Sequence, residues 1–241
     1  NRCRRQRQMC IRDSYSNVKF EASFDHQWFM STLEGLSGSL SEEAQRAIFD
    51  PEFDVKKVNR ADGVDLLLAS AVNFYAPDVT QLEAEAFYAA KVDADPARPV
   101  SHGLNSRLSR NEDGSLYEEV FSADGRYASS IKQIIGHLEQ AKIVAENEGQ
   151  ALALGLLIEY YQTGDLNKWD DYNIAWVSMT EGDVDYINGF VEVYNDPMGY
   201  RGSYETVVQV KDFDASARMS VVAENVQWFE DNSPIDYDHK K

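Results

Sequence analysis

The sequence predicts an α+β fold that is mostly helical, with short antiparallel β-ribbons. Apolar residues between positions 127 and 145 recur at steps of three and four, which is the spacing of one helical stripe. Polar and apolar side chains alternate through "DVDYINGFVEVY" (183–194), which is the period of a β-strand. The dipeptide Asp113-Gly114 between two half-apolar runs favours a second, smaller hairpin.

Residues 1–14, "NRCRRQRQMCIRDS", differ from the rest of the chain. They are basic and lack the apolar segment of a signal peptide, so we interpret them as a cloning or assembly artefact, with a natural basic tail as the alternative. They hold five arginines, one aspartate and both cysteines, so the remainder carries a net charge of −22, against −18 for the whole chain. The remainder therefore offers no disulfide, Cys-zinc site or Cys nucleophile.

The acidic composition excludes several classes of function. A surface of this charge repels phosphate backbones, so we expect no nucleic-acid partner. No apolar run approaches the roughly 20 residues that span a bilayer, so we expect no membrane-spanning segment. The sequence predicts a globular piece with one sizeable core or two small ones.

The first half of the chain contains two capping signals. Residues 15–50 predict short helices, with Ser39 and Glu42 spaced as a capping box. Thr80 and Glu83 form a second box that opens a helix in "QLEAEAFYAAKV". This helix ends before the prolines of "DADPARPV", because proline cannot continue the hydrogen-bond ladder.

Three further helices are predicted to pack as one layer. The first covers about 127–145, and the second covers about 148–162 and ends at Gly164, in the position favoured for left-handed C-caps. Asp165 caps the third, in "LNKWDDYNIAWVSM". We expect their aromatic residues to form core rather than cofactor contacts.

The alternating ribbon has two chemically different faces. One face carries aliphatic residues and a glycine, namely Ile187, Gly189, Val191 and Val193. The other carries polar and aromatic residues, namely Tyr186, Asn188, Phe190, Glu192 and Tyr194. We expect the aliphatic face to be buried against the helical layer and the polar face to border solvent or a ligand. Such a strand can hold an extended peptide, although an ordinary half-exposed strand is the alternative.

The ribbon turns at "NDPMG" and returns as "YETVVQV". Asp196-Pro197 favours the start of a turn and Gly199 tolerates positive φ. The segment after it has helical spacing and ends at Pro234.

The residues themselves reveal no self-contained active site. The four histidines, His26, His102, His137 and His239, form no HExxH motif, and no GxSxG, Walker or dinucleotide-binding motif is present. The adjacent pairs Asp170-Asp171 and Glu118-Glu119 are better explained as solvated acidic surface. We therefore predict no metal ligand in this chain.

The ribbon resembles a signature of the dipeptidyl-peptidase III family, the M49 zinc exopeptidases. That signature is Tyr-x-x-Gly-Phe-x-Glu followed by Asp-Pro-x-Gly, matched here by Tyr186, Gly189, Phe190, Glu192, Asp196, Pro197 and Gly199. Four other segments resemble bacterial members: "GLNSRL" (103–108), "VAENE" (144–148), "YYQTGDL" (160–166) and "NVQWFEDNSP" (225–234). The resemblance covers most of the chain, and five motifs in the family's order make it specific.

The resemblance implies one lobe of a two-lobed peptidase that releases dipeptides from the free N-terminus of oligopeptides. Residues 15–211 would form a small antiparallel β-barrel wrapped by helices, and residues 212–241 would start the helical, zinc-bearing lobe. Tyr186 is expected to hydrogen-bond the substrate near the scissile carbonyl and to stabilise the charge that develops there, a role that suits a phenol in a dry cleft. Asn188, Gly189 and Glu192 are the predicted substrate-binding residues.

This sequence departs from the family pattern in two ways, which limit the functional roles that the resemblance implies. Eukaryotic members place a glutamate two residues before the tyrosine, where it helps to hold the substrate's ammonium, but Val184 stands here. The family's HExxGH zinc motif lies downstream of the tyrosine strand and is absent from this chain. Glu192 could also pair with Arg201 across the hairpin instead of binding substrate.

These departures lead to a fragment hypothesis. We expect a truncated piece that is inactive alone, with the Zn²⁺ ligands outside this chain. A non-catalytic peptide-binding or scaffold protein, complete as given, is the alternative. We expect a cytoplasmic location, and an exported or lipid-anchored form stays open because the true N-terminus is expected to lie outside the sequence.

Overall fold

The computed structural model describes residues 25–36, 38–50 and 52–239. In these residues the helices are α1 (His26–Gly35), α2 (Glu42–Phe49), α3 (Gln81–Ala89), α4 (Ala128–Ile143), α5 (Glu148–Thr163), α6 (Leu166–Ser178), α7 (Phe213–Glu224) and α8 (Val226–Asp231). The strands are β1 (Ser106–Arg110), β2 (Leu116–Val120), β3 (Val184–Glu192) and β4 (Ser203–Val210), and a 3₁₀ helix covers Tyr237–His239. The predicted mixture of helices and short antiparallel strands is confirmed. The interpretation of residues 1–14 lies outside the described residues.

Helices α4, α5 and α6 form the predicted layer. Helix α5 packs against both of the others, so it is buried on several sides, and it supplies the largest share of the main core. Its buried residues are Gln150, Ala153, Leu154, Leu157, Ile158, Tyr160 and Tyr161. Helix α4 contributes one stripe, of which Ile131 and Ile135 are buried. Among the described helices, none combines the length and apolarity needed to cross a membrane.

Local side-chain caps fix the start of six of the eight described α-helices. Thr80 and Glu83 form the predicted reciprocal capping box at the start of α3. Gly164, at φ 72°, ends α5, and Asp165 then accepts the backbone N–H of Asn167 to begin α6. The prediction of a Ser39–Glu42 capping box is wrong. Helix α2 is capped by Ser41, and the Ser39–Glu42 box is not formed, because the Ser41 hydroxyl accepts the N–H of Ala44.

The strands form two separate antiparallel pairs, β1–β2 and β3–β4. The predicted barrel is not formed by the described residues. The edge of β1 that faces away from β2 is occupied by the segment around Tyr75. Strand β1 therefore cannot use that edge to join the β3–β4 sheet. The backbone of Leu108 exchanges hydrogen bonds there with Phe74 and Ala76, at 3.0 and 2.8 Å.

Gly189 allows β3 to lie directly against α6. A Cβ at this position would come within 2.7 Å of Cζ3 of the buried Trp169 ring. Any larger residue would therefore push the strand away from the helix. The glycine that the family signature requires is explained here by packing.

Arg201, which follows the β3–β4 turn, is the largest completely buried side chain in the described part of the chain. Its guanidinium carbon lies 4.5 Å from the ring centroid of Tyr75 and 4.8 Å from that of Tyr88. Nη1 donates to the Tyr75 hydroxyl at 3.3 Å, and Nη2 donates to the Tyr88 hydroxyl. A buried charge is stable only when it is paired and hydrogen-bonded, so these two phenols are essential to its position.

The two phenols connect the guanidinium to two carboxylates. Tyr75 donates to Asp196 at 2.9 Å, and Tyr88 donates to Glu118 at 2.8 Å. Burial raises the pKa of both phenols above their usual range, although Arg201 opposes the rise, so both stay protonated donors at neutral pH. Asp196 also accepts the backbone N–H of Arg201 at 2.8 Å, which closes the turn.

Glu118 completes the link between the hairpins. Burial alone would raise its pKa, but hydrogen bonds from Lys91, Tyr88 and Ser106 outweigh burial and lower the pKa below its usual value. The carboxylate is therefore ionised at neutral pH. The Arg201 network thus joins α3, the β1–β2 hairpin and the β3–β4 turn.

This network overturns the predicted alternative for Glu192. Arg201 makes its side-chain hydrogen bonds to Tyr75 and Tyr88, so the cross-hairpin pair with Glu192 is not formed. Glu192 is exposed beside an irregularity in the β3–β4 register. At its turn end the hairpin is anchored by the buried Arg201 network and not by a Glu192–Arg201 ion pair.

Replacement of Arg201 by Met should destabilise the chain by about 3 kcal/mol or more, because it removes the cation that both phenols and their carboxylates surround. Urea denaturation of the purified chain measures the free energy of unfolding. The matched control is Arg98→Met, which removes a cation from an exposed ion pair with Asp171 and should leave the midpoint unchanged. Equal midpoints for the Arg201 and Arg98 variants would contradict the central role of Arg201.

Candidate functional site

The candidate site lies on the hairpin face that turns towards helices α4 and α5. On this face Tyr186 is opposite Val208, and Asn188 is opposite Thr206. These four residues line one cavity together with apolar side chains from α4, α5 and β3, namely Leu138, Ala141, Leu154 and Val184, and with Val144, which follows α4. The hairpin therefore faces the helical layer across a space of about 260 Å³.

This orientation corrects the predicted faces of β3. Ile187, predicted to be buried, is 44% exposed, whereas Tyr186, predicted to border solvent or a ligand, is only 9% exposed. The alternation was recognised correctly, but the polar and aromatic face is the one that packs on α4 and α5. Both sides of β3 contact helices, because Gly189 on the other side meets α6.

Tyr186 carries a buried hydroxyl that has no hydrogen bond of normal geometry with the described residues. Burial, with a smaller contribution from the negative charge of Asp185, raises the pKa of Tyr186 to about 12, and a weak, poorly aligned hydrogen-bond interaction with the neighbouring Tyr172 phenol partly offsets the rise. The hydroxyl is therefore protonated at neutral pH. A buried donor without a partner costs about 1–3 kcal/mol of folding free energy, so it needs an explanation.

Asn188 is held by three neighbouring hydroxyl groups. Its side-chain oxygen accepts the hydroxyl of Tyr161 at 2.5 Å, and its nitrogen donates to Tyr204 and Thr206, each at 3.2 Å. Burial raises the pKa of Tyr161, which therefore remains a donor. Asn188 thus joins α5 to both strands, and its amide hydrogens are already used within the protein.

The other two predicted substrate-binding residues lie outside this cavity. Gly189 contacts Trp169 on the opposite face, and Glu192 is exposed. The structure thus brings Tyr186 and Asn188 together and places Gly189 and Glu192 elsewhere.

Glu146 is a site residue that the sequence analysis missed. Its carboxylate is the only one among the described residues that line the cavity. It accepts the backbone N–H groups of Asp183, at 3.0 and 3.1 Å, and of Val184, at 3.2 Å, and so anchors the start of β3. Its "VAENE" motif was recognised as part of the resemblance, and the early position of that motif gave no sign that it meets β3.

The described residues form no metal centre. No group of three or more His, Cys, Asp and Glu side chains in residues 25–36, 38–50 and 52–239 is arranged to hold a metal ion. A zinc ion therefore does not fit any site in this part of the chain.

The chain is similar to known peptidases. The sequence model of "Peptidase family M49" matches residues 53–240, well over half of the chain. Dipeptidyl peptidase 3 of Mus musculus is 29% identical over 161 residues, which cover 65% of this chain and 21% of the mouse protein. The protein of the same name from Rattus norvegicus is 29% identical over 130 residues, which cover 54% of this chain and 17% of the rat protein. The chain thus spans about a fifth of these curated relatives.

A solved structure supports the fold assignment. The structure of DPP III from Caldithrix abyssi superposes with a TM-score of 0.54 at 21% identity, covering 88% of this chain and 40% of that chain. At this identity the similarity concerns the fold alone. The family match over residues 53–240 includes all five motif segments, and the chain belongs to peptidase family M49.

Proposed function

We propose that this chain is part of a bacterial-type M49 dipeptidyl peptidase that releases dipeptides from the N-terminus of oligopeptides. In this proposal the β3–β4 hairpin contributes the peptide-binding face. The observation that carries the proposal is the Tyr186 hydroxyl, a buried and protonated donor that makes no hydrogen bond of normal geometry with the described residues. Tyr186 also stands at the tyrosine position of the family signature.

The physical role proposed for Tyr186 is stabilisation of charge on the scissile carbonyl oxygen. Since the O–H of Tyr186 is not donated in normal geometry to any described residue, it gives up little when it meets the substrate. In a site that excludes water, such a preorganised donor stabilises developing negative charge more strongly than water would. Asn188 supports this role by fixing the strand between α5 and β4.

The carboxylate for the substrate's ammonium is proposed to be that of Glu146. Val184 occupies the position at which eukaryotic members carry a glutamate, and Val184 and Glu146 line the same cavity. Glu146 therefore presents a negative charge close to where the missing side chain would lie. The earlier assignments of Gly189 and Glu192 to substrate binding remain predictions.

The zinc ion is proposed to be bound by residues outside this chain. The described residues do not fit a zinc site, so no catalytic step through a metal is derived from them. The hairpin supplies binding and charge stabilisation only. A cytoplasmic location remains a prediction.

In the complete protein, Tyr186→Phe should lower kcat for a dipeptidyl arylamide by about 100-fold or more while changing KM little, because its bond strengthens in the transition state. Steady-state kinetics of the unmodified enzyme and the variants at saturating zinc measures kcat and KM. Tyr194→Phe is the matched control, since it removes an exposed phenol just beyond β3, and it should be silent. A kcat within twofold of the unmodified enzyme would remove Tyr186 from the chemistry.

Glu146→Gln should abolish the preference of the complete protein for free N-termini. The measurement compares the inhibition constants of one uncleaved peptide and its N-acetylated form. The unmodified enzyme should favour the free amine by about tenfold or more, and the variant should bind both alike, because the charge that attracts the ammonium is gone. An unchanged ratio would show that another group recognises the amine, whatever the stability of the variant.

The 241-residue chain alone should release no dipeptide from a dipeptidyl arylamide, with or without added Zn²⁺, because the metal site is proposed to lie elsewhere. A fluorescence assay at micromolar protein checks this, with the complete protein as the positive control. Chelator-sensitive hydrolysis by the purified chain would contradict the proposal that the zinc ligands lie outside it. A complete protein that binds peptides but never cleaves them would instead support the scaffold alternative.

A further inference from the structure

A second cavity lies beside the same hairpin, at the N-terminal end of α4. Its volume is about 370 Å³, within the range of about 300–1,000 Å³ typical of small-molecule sites. The walls are mainly aromatic and aliphatic, and the principal side chains are Phe121, Ile131, Ile134, Tyr161, Phe190 and Tyr204. None of its lining residues lines the cavity at Tyr186, so the two spaces are separate.

The charge of this cavity is opposite to that of the chain. The full sequence has 41 acidic and 23 basic residues, yet the described residues that line this space include two arginines and no carboxylate. One of the two, Arg126, is neutralised, because its Nε lies 2.9 Å from a carboxylate oxygen of Glu119. The other, Arg107, forms no ion pair with the described residues.

Arg107 is fixed in position without an anionic partner in the described part of the chain. Its Nε donates to the backbone carbonyl of Asn73 at 3.1 Å, and Nη2 donates to that of Tyr75 at 3.3 Å. Both acceptors are neutral, and Nη1 makes no hydrogen bond with the described residues. By contrast, Arg110 on the same strand bonds Asp78 and Glu83. Glu119 stands opposite Arg107 on β2, but its carboxylate pairs with Arg126. Arg107 therefore borders an apolar cavity without an ion pair of its own among the described residues.

A rigid guanidinium next to an aromatic pocket is suited to one kind of ligand. Carboxylates form strong, directional hydrogen bonds with arginine, and apolar walls select the group that carries the carboxylate. We propose that this cavity binds a small carboxylate with an aromatic or branched aliphatic body, with Arg107 as its anion-binding residue. The proposal does not depend on the peptidase function of the Tyr186 face.

The binding test uses isothermal titration of the 241-residue chain with 3-phenylpropionate and with 3-phenylpropanamide. The acid should bind saturably and the amide should bind at least about tenfold more weakly, because only the acid can pair with Arg107. Equal affinities of acid and amide, or no saturable binding of the acid, would overturn the proposal.

Variants then locate the site. Arg107→Gln should weaken binding of the acid at least about tenfold, whereas Arg98→Gln, which removes an equal charge outside the cavity, should not. Arg107 also binds two backbone carbonyls, so its replacement could disturb the fold. A second pair of variants therefore tests the cavity while leaving Arg107 unchanged. Ser130→Trp places an indole at the cavity wall and should reduce affinity at least about tenfold, while the neighbouring Ser129→Trp, also exposed but outside the lining, should not. Unchanged affinity in Ser130→Trp would refute the location.

A third ligand distinguishes the source of the carboxylate. N-acetylphenylalanine resembles the C-terminus of a peptide, whereas 3-phenylpropionate resembles a free acid. Tighter binding of N-acetylphenylalanine, again lost in Arg107→Gln, assigns the cavity to peptide C-termini. Tighter binding of 3-phenylpropionate assigns it to free acids.

Discussion

The buried guanidinium of Arg201 is the interaction on which the arrangement of the two hairpins depends. Removing a cation from water costs several kcal/mol, and the protein offsets that cost only through well-placed partners. Here the partners are two phenols, each of which donates onward to a carboxylate. The result is a charge network that begins on α3 and β2 and ends in the β3–β4 turn. The network fixes the turn end of the hairpin, and the bonds of Glu146 and Asn188 hold the part of β3 that carries Tyr186.

Two polar groups that border the cavities described above lack partners that such groups normally have. Tyr186 presents a buried hydroxyl without a hydrogen bond of normal geometry to the described residues, and Arg107 presents a fixed cation without an ion pair among them. The two groups border different cavities, and helix α4 lines both of them. Since unsatisfied groups destabilise a folded protein, we interpret both as places prepared for ligands.

The sequence predicted the features whose causes are local. The Thr80–Glu83 box, the Gly164 C-cap and the Asp113-Gly114 hairpin each depend on residues within a few positions of one another. The Ser39–Glu42 box failed because another serine two residues later competes for the same helix end. Local chemistry thus predicted where elements begin and end, but could not decide between neighbouring caps.

The long-range arrangement could not be predicted from the sequence. Alternation in β3 revealed two faces, but it could not show that both would meet helices, since that depends on Gly189 admitting the Trp169 ring. The partners of Arg201 are 113 and 126 residues away in sequence, so a nearby carboxylate such as Glu192 was the natural but wrong choice. Glu146 was missed for the same reason. Family resemblance located Tyr186, and the structure supplied its environment.

The central claim is that Tyr186 is a buried phenol that keeps its proton and has a free donor. NMR of the chain labelled with ¹³C at tyrosine Cζ tests it directly, with the Tyr186 signal assigned by its loss in Tyr186→Phe. A pH titration should show the Tyr186 signal still in its protonated position at pH 11, with a midpoint near pH 12, because burial raises the pKa. A midpoint at about 10, as for an unperturbed tyrosine, would mean that the phenol is exposed and would contradict the account.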